Sequence, residues 1–248
     1  DMQAVSSTKR VANYYRFNFT KDDNPSSHWS YLYSIIQNCN LILMNIDKLV
    51  IDEDDKAYRD DLKGEALAIR GLALFDLTRI FGYPYLKDKG ASLGVPIIEG
   101  LSTIDSKPTR NTVAQCYTKI IDDLTQSLSL LGEKFNKGKI NKWGAMVLLS
   151  RVYLYKGENA NALKMASDAI IGAEKNKYAL WTNEDYPTAW GEDASASKPG
   201  EVLFEIVNLT TDSPGKESMG YLNSYDGYDD MCITCSFYQF LKEDPKDI

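Results

Sequence analysis

The residues able to do chemistry are few, and their spacing argues against catalysis. His28 is the one histidine of the chain and sits beside Ser26 and Ser27. A nucleophilic serine needs an imidazole base oriented by a third group, and such partners come from distant segments rather than from neighbours in a polar, Pro-containing loop. A lone histidine also excludes zinc sites built on two or three imidazoles. Cys232-Ile233-Thr234-Cys235 is a single CxxC. Redox use wants that motif at a helix start near a βαβ pattern, and a zinc site wants a second pair. Neither is visible, so Cys232 and Cys235 read as reduced thiols or a local bridge. Cys39 and Cys116 fall at helical core positions. Glycoside hydrolysis needs two carboxyl groups about 5–10 Å apart across the scissile bond, and no pair stands out. Glu65 and Arg70 lie in an apolar helical run and read as a structural ion pair or cap. No GxGxxG, Walker or HExxH pattern occurs. The expectation is a chain with no catalytic residues, no metal site and no cofactor.

The aromatic residues carry the stronger signal. The chain holds 16 Tyr, 8 Phe and 4 Trp, and they divide into two sets. Trp29, Tyr33, Phe75, Phe81, Tyr117, Trp143, Tyr153 and Tyr155 recur at helical spacing and read as core. Tyr14, Tyr15, Phe17, Trp181, Tyr186, Trp190, Tyr221, Tyr225 and Tyr228 lie in irregular segments. A sugar ring stacks on a flat apolar face while polar side chains take its hydroxyls. The expected ligand-binding residues are therefore Tyr15, Phe17, Asn18, Trp181, Trp190, Tyr225, Asp226 and Tyr228, with Asn13 and Asn223 as further polar partners. Loop-pinning, with the rings turned inward, is the alternative for each.

The elements that must position these residues are helical. Trp29, Leu32, Tyr33, Ile36, Asn40, Leu43 and Ile46 form one face of a helix ending near Leu49. Gly64–Phe81 is apolar on almost every face, which predicts a helix buried on most sides, stopped by Gly82. Thr112 and Gln115 fit a capping box. Asn141 fits the cap of a helix closed by Gly157, and residues 159–173 continue with small residues at Ala162, Ala166, Ala169 and Ala173. Two helices of such length joined by a tight turn make a tetratricopeptide-type hairpin. The predicted fold is all-α, with tetratricopeptide-like hairpins, long irregular loops and minor β structure. It forms one domain over 1–248, with a scaffold at 29–175 and a loop-rich segment at 176–248. Residues 201–207 are the single good strand candidate. Lys+Arg number 28 and Asp+Glu 35, for a net charge of -7. That balance, with no basic cluster, disfavours nucleic acid and anionic membrane surfaces as partners.

In this order the segments resemble the SusD/RagB family of Bacteroidetes outer-membrane lipoproteins. The resemblance rests on Trp29, Tyr33, Ile36 and Cys39-Asn40, then Gly64-Glu65-Ala66 through Ile69-Arg70-Gly71 with Phe75, Leu77 and Phe81-Gly82. Gly94-Val95-Pro96 follows, then Arg110, Thr112-Val113, Tyr117 and Asp123-Leu124, then Ala145 and Leu149 to Tyr155 with Gly157, and finally Glu201 to Ile206. It implies non-catalytic binding of a glycan nutrient at the extracellular face of the outer membrane. Delivery would be to a SusC-like TonB-dependent transporter, with the membrane engaged only through a lipid anchor that this chain does not carry. Against the family's usual length, the chain reads as a fragment that lacks the lipidated N-terminus and part of the C-terminal half. The rival reading is a peptide-binding helical-repeat adaptor or peptide-uptake protein.

Overall fold

Helix ends in the computed structural model follow the chemistry of their caps. The structure describes all residues except 1, 6–11, 17–25, 104, 137, 186–188, 190–199, 208–210, 212 and 244–248. The chain divides into two compact units. One, the helical unit, holds Ser26–Trp181 with Ser195–Ile206. The other, the terminal unit, holds Asp1–Pro25, Thr182–Ala194 and Val207–Ile248.

In the helical unit, α2 spans Ser26–Asn45, α3 Lys56–Phe81, α4 Val113–Leu130, α5 Lys142–Lys156 and α6 Asn159–Lys175. α3 begins a full two turns before Gly64, because Glu53–Asp55 forms a 3-10 turn that leads straight into it. The capping box of α4 is present. The Gln115 amide donates to Thr112 Oγ1 at 3.2 Å, and the Thr112 amide donates to Gln115 Oε1 at 2.9 Å. Asn141 caps α5 by accepting from the Gly144 amide at 3.0 Å. Gly157 closes that helix at φ 84°, in the left-handed region where a side chain would be strained.

Each helix packs on its successor in sequence, from α2 to α6. Contacts between α5 and α6 are close enough that a Cβ on Gly172 would lie 2.1 Å from the Trp143 ring. The core gathers Ile36, Leu74, Phe75, Leu77, Val113, Cys116, Ile120, Leu124, Leu149 and Val152, all buried. Trp29 and Tyr33 pack against it, and Trp29 meets Phe81 edge-on at 4.9 Å. Trp143 is also buried, in a small second cluster with Ala173 and Tyr178. Tyr155 departs from its expected core position. It is 47 % exposed and lies edge-on to Phe75 at 5.5 Å, with Arg79 at 5.0 Å from its ring. It stands in the last turn of α5, two residues before the Gly157 stop, with the far side of its ring open to water.

Residues 201–207 form no strand. An extended segment becomes a strand only by sharing a ladder with another. Here, instead, Leu203 and Phe204 lie on α5, where a Cβ on Gly144 would meet the Leu203 carbonyl and Phe204 Cβ, each at 3.3 Å. The apolar character that suggested a strand is used in side-chain packing.

The described β structure belongs to the terminal unit. β1 (Met2–Ala4) pairs antiparallel with β2 (Met231–Ile233), Met2 opposite Ile233 and Ala4 opposite Met231. α1 (Ala12–Tyr15) packs on β1. α7 (Met219–Asn223) and α8 (Cys235–Leu241) are short and capped by Ser218 and Thr234. Among the described residues of this unit only Ala12 and Asp230 are buried. No helix among the described residues is long and apolar enough to cross a membrane.

Candidate ligand-binding site

The turn between α7 and β2 is built to hold side chains outward. Its backbone is tied five times over. The Ser224 amide donates to the Gly220 carbonyl, Gly227 to Ser224, Tyr228 to Tyr221, Asp229 to Ser224 and Asp230 to Leu222, all within 2.8–3.2 Å. Tyr221 and Tyr228 meet edge to face at 5.2 Å between ring centres. Gly227 is required by this path, since a Cβ there would lie 2.0 Å from the Tyr221 carbonyl oxygen. At the apex Tyr225 is 89 % exposed, and Asp226 beside it is exposed with no side-chain partner among the described residues. Tyr228 is 37 % exposed, one part of its ring being taken by Tyr221.

Tyr15 ends α1 and is 50 % exposed. It belongs to the same unit as the Tyr225 turn, which leads directly into β2, the partner of β1. Trp181 has a different setting. It lies in the helical unit, half-buried, with its indole so close to Gly200 that a Cβ there would sit 2.1 Å from Nε1. Its amide donates to a Glu201 carboxylate oxygen at 3.2 Å. That contact fastens residues 200–201 to the end of the helical stack. The Asn223 side chain is engaged as well, its Nδ2 donating to the Met219 carbonyl at 3.0 Å. Phe17, Asn18 and Trp190 lie outside the described residues, as does the Asn13 side chain.

The charged residues singled out in the sequence are structural. Arg70 pairs with Asp123 rather than with Glu65. Nε donates to Oδ2 at 2.8 Å and Nη2 to Oδ1 at 2.6 Å, a two-pronged bond between α3 and α4. Arg70 Nη1 also donates to Asn40 Oδ1 at 2.9 Å, and Asn40 in turn donates to the carbonyls of Ile98 and Gly100. Asn40, Arg70 and Asp123 are all buried. Glu65 faces Lys139 at 3.4 Å, and burial pushes its carboxyl above the usual range against the pull of that lysine. Burial likewise pushes the Cys39 thiol up to about 11, the behaviour of an inert core cysteine. Cys232 and Cys235 are free thiols in the middle of β2 and at the start of α8. Among the described residues no cluster of three His, Cys, Asp or Glu could hold a metal ion.

One feature carries no mark in the sequence. A cleft of about 520 Å³ opens at the carboxyl end of α3, lined by Ile80, Phe81, Gly82, Tyr83, Ser92, Leu93 and Arg110. Its walls come from segments up to 30 residues apart that meet through an isolated bridge between Leu93 and Thr112.

Residues 1–154 match the model of the SusD-like_3 family, described as starch-binding and associating with the outer membrane. A SusD-like protein of Bacteroides ovatus is 27% identical over 135 residues, which are 54% of this chain and 23% of that protein. A crystal structure from Bacteroides vulgatus ATCC 8482, provisionally assigned to sugar binding, is 80% identical with a TM-score of 0.94. It aligns with 99% of this chain and 55% of its own. A SusD superfamily protein from Bacteroides thetaiotaomicron VPI-5482 is 38% identical with a TM-score of 0.86, over the same shares of both chains. The chain thus spans about half the length of these solved relatives. With the matched segment running through α2, α3, α4 and most of α5, the chain belongs to the SusD-like family.

Proposed function

We propose that the protein captures an oligosaccharide on the aromatic turn of the terminal unit. The observation that carries this reading is Tyr225, almost wholly exposed at the apex of a turn whose backbone is held by five hydrogen bonds and Gly227. An aromatic ring displayed on a fixed support costs little ordering when a ligand arrives. Tyr225 offers a stacking face, Tyr228 and Tyr15 extend it, and Asp226 accepts hydrogen bonds from sugar hydroxyls. Phe17, Asn18 and Trp190 are further candidates in the same unit, and Trp181 serves as a brace. The family's starch-binding description supports a glycan as ligand.

The role is binding without hydrolysis, followed by transfer to a SusC-like TonB-dependent transporter from a lipid-anchored position on the outer face of the outer membrane. The family's association with the outer membrane supports this placement. The test is calorimetry of the intact protein with starch oligosaccharides. Tyr225→Ala should weaken binding about three- to tenfold, the equivalent of one lost ring stack. Unchanged affinity in Tyr225→Ala and Tyr15→Ala, with the fold retained, would remove the turn from the site. Release of shorter sugars during the incubation would overturn the non-catalytic role.

A further inference from the structure

The cleft at the end of α3 has a chemistry different from that of the Tyr225 turn. Arg110 donates through Nε to the Gly94 carbonyl at 2.6 Å and through Nη2 to the carbonyls of Phe81 and Leu93 at 2.8 and 3.1 Å. All three acceptors are neutral. Its remaining nitrogen, Nη1, has no partner among the described residues, and no carboxylate among them pairs with the guanidinium. The group is therefore fixed in orientation, cationic, and open on one edge. Lys87 does not line the cleft but covers the ring of Tyr83, which does, with its Nζ 3.2 Å from the ring centre, and it also has no carboxylate partner among the described residues. Asp88, the acid next to Lys87 in the chain, is engaged by the amide and hydroxyl of Ser92. In a chain of net charge -7, the cleft thus carries one cation in its wall and a second on the ring that lines it, neither with an acidic partner among the described residues. Tyr83 and Leu93, 57 % and 55 % exposed, supply the apolar surface.

We propose that this cleft binds a hexuronic acid residue of an acidic oligosaccharide. The carboxylate bonds to Arg110 Nη1 within the field of Lys87, and the sugar ring lies against Tyr83 and Leu93. Both hydrogens of Nη1 are left to donate, and a bond from a guanidinium N–H to a carboxylate is charge-assisted, shorter and stronger than one to a neutral acceptor. A volume of about 520 Å³ lies within the ordinary range of small-ligand sites, which is roughly 300–1,000 Å³. The choice of a sugar acid over other carboxylates rests on the glycan-binding reading, but the site is separate from the Tyr225 turn and uses none of its residues.

The experiment titrates the intact protein with galacturonate and glucuronate trisaccharides, with neutral maltotriose, and with a short peptide bearing a free C-terminal carboxylate. A uronate trisaccharide should bind. Its affinity should fall about tenfold in Arg110→Gln, the loss expected for a charge-assisted hydrogen bond, and several-fold in Tyr83→Ala and Lys87→Gln. It should also weaken with added salt. Arg110 supports three backbone carbonyls, so the two surface variants decide the matter if Arg110→Gln does not fold. Maltotriose binding should respond to Tyr225→Ala and not to Tyr83→Ala. No uronate binding at millimolar concentration would overturn the proposal. So would uronate affinity unchanged in both folded surface variants, or capture of the peptide in place of the sugar acid. Uronate binding without maltotriose binding would remove the turn and leave the cleft in place.

Discussion

The two units of the molecule hold their shape by different means. The helical unit is organised around a continuous apolar core in which Phe75, Leu77, Ile120 and Leu124 lose almost all contact with water. The terminal unit has almost no buried side chains among its described residues, and keeps its form through a short strand pair, helix caps and a hydrogen-bonded turn. Burial makes a scaffold stable but hides its side chains. A turn fixed through its backbone leaves its side chains free to meet a ligand. The contrast assigns stability to the first unit and display to the second.

The contrast breaks most directly at Asp123. Asp123→Ala leaves Arg70 buried and unpaired and should cost about 3–5 kcal/mol, measured by denaturant unfolding. Replacing both partners by apolar residues should recover much of that loss, because no uncompensated charge then remains. A cost near zero for the single variant would mean that the pair contributes nothing to the scaffold. Leu149→Ala or Leu74→Ala should cost about 2–5 kcal/mol through lost transfer energy and the cavity left behind.

A smaller effect is expected at Glu65. Burial raises its carboxyl above the unfolded value near 4.5, so the native state holds the proton more tightly than the unfolded chain does. The resulting contribution to stability is present below that value and is lost as pH rises through the higher native one. Glu65→Gln carries no such dependence. The stability of the variant relative to the parent should therefore increase from about pH 4.5 upward, the reference value of a carboxyl group. A relative stability that falls over that range would show that Lys139 outweighs burial. The smallest change is expected in the terminal unit, where Tyr225→Ala should shift unfolding by no more than about 0.5 kcal/mol. A larger loss would make Tyr225 a packing residue and weaken the division between scaffold and display.

Much of the helical unit is legible in the amino-acid sequence. Thr112 with Gln115, Asn141 and Gly157 each act within four residues of their own position, so their chemistry is complete in the local sequence. Residues 201–207 show the limit. Their apolar, β-favouring composition says that the segment is to be covered, but not by what, and it is α5 that covers it. The candidate site is legible in part. An aromatic residue in an irregular segment has no helical face to occupy, which points to Tyr225. The same reasoning selects Tyr15, which instead ends the short helix α1, and Trp181, whose ring is taken up by Gly200.

The five long helices, the ends capped by Thr112, Asn141 and Gly157, and the apolar faces were determined by the sequence alone, because spacing and caps are short-range properties of the chain. Partner choice was decided by the tertiary structure. Arg70 has Glu65 five positions away and Asp123 fifty-three positions away, and it is Asp123 that it binds, because α4 lies against α3 and brings that carboxylate to the guanidinium. Long-range packing likewise brings Tyr83, Leu93 and Arg110 to one cleft. No local pattern encodes such meetings, since they depend on which surfaces the folded chain brings together.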